Sequence, residues 1–100
     1  MSDYGSCCSD TYQIFDEKDP DATLDYQFNW ASELQEDLID TSTFLLPDGM
    51  TEVSSSNTDQ TATIFVSGGT PCRVYRITNR ITTLGGRSMD QTIYIKIREL

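Results

Sequence analysis

Leu24-Asp25-Tyr26-Gln27-Phe28-Asn29-Trp30 sets four bulky residues against three polar ones in strict alternation. Side chains of an extended chain point to opposite faces in turn, so this period of two marks a half-buried β-strand. The pattern returns near the other end. In residues 92–98, Ile93, Ile95 and Ile97 face one way and Thr92, Tyr94, Lys96 and Arg98 the other. Residues 61–67 repeat it, with Ala62, Ile64 and Val66 opposite Thr61, Thr63 and Phe65.

The intervening stretches follow the same logic. Residues 72–83 are rich in Val, Tyr, Ile and Thr, with Asn79 the place for a bend or bulge. Residues 41–46 are β-branched and apolar and close on the turn Pro47-Asp48-Gly49. Residues 50–53 make a further short strand, followed by a polar loop over 54–59. Gly68-Gly69 and Gly85-Gly86 match no phosphate-binding pattern and read as tight turns. Residues 31–37 lack alternation and predict a single helical turn. The whole predicts an all-β fold, a small Ig-like antiparallel β-sandwich of about six or seven short strands with an N-terminal extended arm. Its core is expected to hold Leu24, Phe28, Trp30, Ile64, Val66, Ile93, Ile95 and Ile97.

Two segments follow from composition. Residues 1–23 form an acidic arm or linker, and residues 24–100 form the sandwich domain. The arm offers little apolar surface beyond Tyr4, Tyr12, Ile14 and Phe15. In its second half, Asp16-Glu17-Lys18-Asp19-Pro20-Asp21 crowds four acids around a proline, which disfavours any regular element. A chain of 100 residues is otherwise one domain.

Charge narrows the function. The net charge is −9, and the chain contains no histidine. Such a chain repels phosphate backbones, so nucleic acid is not an expected partner. It also lacks the commonest general base, and no nucleophile motif accompanies Lys18 or Lys96, so an enzyme is not expected. Cys7, Cys8 and Cys72 have no metal-ligand spacing and read as reduced thiols of a chain made in a cytoplasm, with no cofactor and no metal. No apolar run is long enough for a membrane-spanning helix.

The acids are unevenly placed. Residues 1–50 carry twelve against Lys18 alone, whereas residues 51–100 carry four against six basic residues. This asymmetry points to contacts between chains. The candidate interface joins the apolar anchors Tyr12, Ile14 and Phe15 and the acids Asp16, Glu17, Asp19 and Asp21 with the basic residues Arg73, Arg76, Arg80 and Arg87, since opposite charges steer and register association.

The order of several short motifs then resembles a known family. Lys18-Asp19-Pro20-Asp21, Leu24-Asp25-Tyr26, Trp30, Ser67-Gly68-Gly69-Thr70 and Val74-Tyr75-Arg76-Ile77-Thr78-Asn79-Arg80-Ile81-Thr82-Thr83 are similar to small tailed-bacteriophage virion proteins of the fibre–tail adaptor type. The resemblance covers residues 16–99. Pro71-Cys72 stand where members often carry glycine or another small residue. It implies a structural virion protein that connects fibres to the tail or neck through protein–protein contacts. Its partners would be other phage tail, neck or fibre proteins and copies of itself in a symmetric oligomer. It would be made in the host cytoplasm and end in the virion. Trp30 would be core or an interface anchor. The alternative is a free-standing β-sandwich binding module for carbohydrate or peptide, which would display aromatics in a groove.

Asp16, Glu17, Asp19, Asp21 and Asp25 raise the question of calcium, but no glycine or closing glutamate completes an EF-hand loop. We expect calcium to leave the melting temperature unchanged. A rise of several degrees on titration would show that the folded state binds the ion.

Overall fold

The computed structural model describes residues 14–99. In chain order the elements are β1 (Asp16–Lys18), β2 (Leu24–Asn29), α1 (Ala31–Leu34), β3 (Ile39–Leu45), β4 (Met50–Asn57), β5 (Thr61–Gly68), β6 (Val74–Thr83) and β7 (Ser88–Ile97). They form a four-stranded sheet in the order β1-β7-β6-β3 and a three-stranded sheet in the order β2-β5-β4. Four of the strand pairings are antiparallel, and β1 runs parallel to β7.

Alternation decides the faces. Tyr26, Phe28 and Trp30, with Ile64 and Val66 of β5, meet Tyr75, Ile77 and Ile81 of β6 and Ile95 and Ile97 of β7 in one buried cluster. Each large side chain so buried contributes about 1.5–3 kcal/mol. Of the expected core, Leu24 and Ile93 are only half-buried. Leu24 opens an edge strand, and Ile93 lies beyond the stretch of β7 that β1 flanks.

A buried polar cluster crosses the core at Trp30. Trp30 Nε1 donates to Asn79 Oδ1 at 2.8 Å, and Asn79 Nδ2 donates to Ser42 Oγ at 2.9 Å and to the Thr43 carbonyl at 3.1 Å. Asn79 is fully buried. The sequence marks it as a bend, yet β6 keeps continuous register with β7 past this residue. The irregularities lie instead between Ile39 and Thr41 and between Glu52 and Ser54.

Three expectations are corrected. The part of the arm that is described belongs to the sandwich: Asp16–Lys18 pairs with β7 opposite Ile95–Ile97. Lys18 is fully buried, and its Nζ donates to the carbonyls of Asp19 and Gly68 at 3.0 and 2.8 Å. Those two acceptors take two of the three ammonium hydrogens, while burial pulls its pKa below the usual lysine value despite Asp19 and Asp21 nearby. The polar loop expected from Ser54 is strand as far as Asn57, which pairs with Ala62. After Met50 this edge strand is exposed on both faces, so no alternation betrays it. Finally, Cys72 is disulfide-bonded rather than reduced. It also takes a left-handed backbone, φ +69°, which suits glycine better than a residue with a Cβ. The expectations for residues 1–13, including Tyr12, lie outside the described residues.

Among the described residues no helix is long and apolar enough to cross a membrane. The single helical turn expected after β2 is α1, which buries Leu34.

Asn79→Ala strands the Trp30 indole N–H in the core, and an unmet buried donor costs about 1–3 kcal/mol. Denaturant unfolding should show that loss. Trp30→Phe combined with Asn79→Ala should cost less than the two single changes together, because they share the bond. Strict additivity would mean that the bond carries no stability.

Candidate protein–protein interface

The outer face of the four-stranded sheet is built by the residues that alternate with the core. On β6 these are Val74, Arg76, Thr78 and Arg80, standing between buried Tyr75, Ile77, Asn79 and Ile81. Register sets Val74 beside Lys96, Arg76 beside Tyr94, Thr78 beside Thr92 and Arg80 beside Asp90. Leu45 on β3 lies opposite Thr78. Threonine hydroxyls pair across the face at Thr78 and Thr92, 2.9 Å apart.

A shallow groove crosses this face at the start of β6. Pro47 and Tyr94 wall it, with Val74 and Arg76 between them. It continues into an open depression of about 510 Å³ that includes Asp48, Thr70 and Arg73. The turn holding Pro47 is fixed from below. Gly69 N donates to the Gly49 carbonyl at 2.9 Å, and Gly69, at φ +107°, packs so closely on Ile97 that a Cβ would come within 2.7 Å of it. On the far side of Tyr94, Ile14 and Phe15 lie beside Thr92 and Ile93. Phe15 N donates to the Tyr94 carbonyl at 2.8 Å, and its ring stays 59% exposed.

The candidate interface residues divide into three groups. Ile14, Phe15, Arg73, Arg76 and Arg80 gather on or beside this face, although Arg80 is held by Asp90 through bonds of 2.9 and 3.1 Å. Arg73 and Arg76 are exposed and have no ion-pair partner among the described residues. Three of the four acids of the β1 region have their carboxylates engaged within the chain, and that of Asp21 is exposed. Asp16 accepts from the Tyr26 hydroxyl at 3.0 Å, Glu17 accepts from Arg98 at 2.8 Å, and Asp19 accepts from the backbone N–H of Asp21 at 2.9 Å. Burial, then the Asp16 carboxylate, pushes the Tyr26 phenol well above its usual pKa.

Arg87 sits at the other end of the molecule. Its guanidinium donates to Asp37 at 3.2 Å and to the carbonyls of Glu33 and Leu34, clasping α1 to the β6–β7 turn. Asp37 also accepts from the backbone N–H groups of Leu38 and Gly85, each at 2.9 Å. A Cβ at Gly85 would approach this carboxylate to 2.7 Å. The Thr83 hydroxyl first, then the two backbone N–H groups and Arg87, hold the Asp37 carboxyl down from 3.8 to about 2.

Leu45, Leu46 and Pro47 are groove residues that sequence reasoning missed. Their signal is visible: three consecutive apolar residues at a strand end break the alternation. Tyr94 is legible as outward-facing, but its pairing with Arg76 needs the register.

Comparisons with known proteins bear on the family and the fold. Residues 18–96 match a family model described as podophage GP4 fiber-tail adaptor protein gp77. The chain belongs to this family. The family is one of structural adaptors rather than enzymes, which makes the chain a component of the virion tail. Its fold is similar to a solution structure of the PKD domain from KIAA 1837 protein, with a TM-score of 0.54 and 13% identity over 87% of this chain and 82% of that one. That likeness supports the Ig-like sandwich and says nothing of partners. No curated protein matches the chain.

Because the Asp37 carboxyl is depressed in the folded state, its stabilisation is complete above about pH 4 and lost as the pH falls toward 2. Asp37→Asn should lower the melting temperature at neutral pH and flatten this acid limb. Parallel acid titrations of the two proteins would count against the clasp.

Proposed function

We propose that the chain is a non-catalytic connector between fibres and the phage tail or neck, acting through protein–protein contacts on the outer face of the four-stranded sheet. The observation that carries this reading is the family match over residues 18–96, which includes the β6 groove residues from Arg73 onward. Three physical features support it. The groove joins apolar walls at Pro47 and Tyr94 to two guanidinium groups, a mixture suited to an apolar contact with an acidic rim. Arg73 and Arg76 lack an ion-pair partner among the described residues of a chain that carries 16 acids. The chain also lacks histidine, so the commonest acid–base chemistry has no donor or acceptor in it.

In this reading the partners are other tail, neck or fibre proteins and further copies of the chain, repeated around the tail. The rigid sandwich sets the angle between them, and its groove sets the register. Synthesis occurs in the host cytoplasm before assembly.

Mass spectrometry of purified particles should find the protein at a fixed ratio to the fibre protein. Particles made without it should have tails that lack fibres in electron micrographs. Fully fibred particles lacking the chain would refute the connector role.

A further inference from the structure

The groove has a complement elsewhere on the same molecule. At the end that carries α1, Glu33, Glu36, Asp40 and Asp59 are exposed. They are brought together because Ile39 N donates to the Asp59 carbonyl at 2.9 Å and Trp30 N to the Gln60 carbonyl at 2.9 Å, which seats the β4–β5 turn beside α1. None of the four has an ion-pair partner among the described residues. Arg87 is committed to Asp37, so the end keeps a clear excess of negative charge. The groove itself carries the opposite sign: Arg73 and Arg76 are exposed there without carboxylate partners among the described residues. Asp48 on the rim reduces this excess without cancelling it.

Strand β6 runs from one end to the other. Its ten residues hold the groove and the acidic end about 30 Å apart. No exposed charge pair interacts strongly over that distance, because screening lengths are about 8 Å at physiological ionic strength. One molecule therefore cannot satisfy its own complementarity. A second copy can.

We propose that copies of this chain associate head to tail, the acidic α1 end of one seating on the Arg73–Arg76 groove of the next. The contact joins two different patches, so it is heterologous and propagates into a ring or a short stack rather than closing as a two-fold dimer. The inference rests on the connector reading and names one of its partners. Exposed ion pairs are individually weak, so the association is salt-sensitive and gains strength where the tail holds copies at high local concentration.

Sedimentation velocity on the purified full chain tests the contact. At about 0.01 M salt, with a screening length of about 30 Å, wild type should sediment as oligomers; at about 1 M, with about 3 Å, it should be monomeric. Arg73→Glu with Arg76→Glu should be monomeric at both salts, and so should Glu33→Lys with Glu36→Lys. Mixing the two double variants should restore one-to-one dimers, since the arginine groove of one meets the intact acidic end of the other. All four sites are exposed, so unchanged melting temperatures should show that the variants fold. A wild type that stays monomeric at low salt, or double variants that still associate alone, would overturn the proposal. The particle composition described above is a separate measurement, so failure of this contact and failure of the connector role are distinguishable.

Discussion

The hydrogen bond from Trp30 to Asn79 ties the two sheets together inside the apolar core, while Lys18–Gly68 and Tyr26–Asp16 tie them nearer the β1 edge. An indole N–H and a carboxamide inside an apolar core are costly unless they meet, and here they meet at 2.8 Å. The other half of the carboxamide reaches Ser42 and the Thr43 carbonyl, so one side chain links β3, β6 and the end of β2. Apolar packing alone tolerates sliding between sheets. This bond fixes how β2 lies across β6, and hence where α1 emerges.

The registration of β6 governs everything on the outer surface. Once Asn79 points inward, Arg76 and Arg80 must point outward, and the pairing with β7 decides their fates. Arg80 falls opposite Asp90 and is neutralised; Arg76 falls opposite Tyr94 and is not. Arg87, four residues beyond Thr83, is drawn round the turn to Asp37 and the carbonyls that close α1. Three basic residues of the same sequence type thus serve a surface pair, an internal clasp and an open groove. The connector reading depends on the last of these.

Much of this was legible residue by residue. Leu24–Trp30, residues 61–67 and residues 92–98 fix three strands and their inward faces, because alternation is a local property of an extended chain. The acidic stretch around β1 was not legible. Asp16-Glu17-Lys18 looks solvated, yet β7 offers it an edge, Tyr26 offers Asp16 a donor, and the Gly68 carbonyl receives Lys18. Strand β4 was half legible, since an edge strand exposed on both faces has no buried side to impose a period.

What the sequence by itself determined is the class of fold, the six core residues Phe28, Trp30, Ile64, Val66, Ile95 and Ile97, and the overall charge balance. These depend on neighbours in the chain or on simple totals. What only the tertiary structure decided is which charges remain free. Ion pairs such as Arg80–Asp90, Arg87–Asp37 and Arg98–Glu17 join residues separated by up to 81 positions. No periodicity anticipates them, because they are set by strand register and by the turn that brings β7 back along β6. The open groove at Arg73 and Arg76 is what that pairing leaves over.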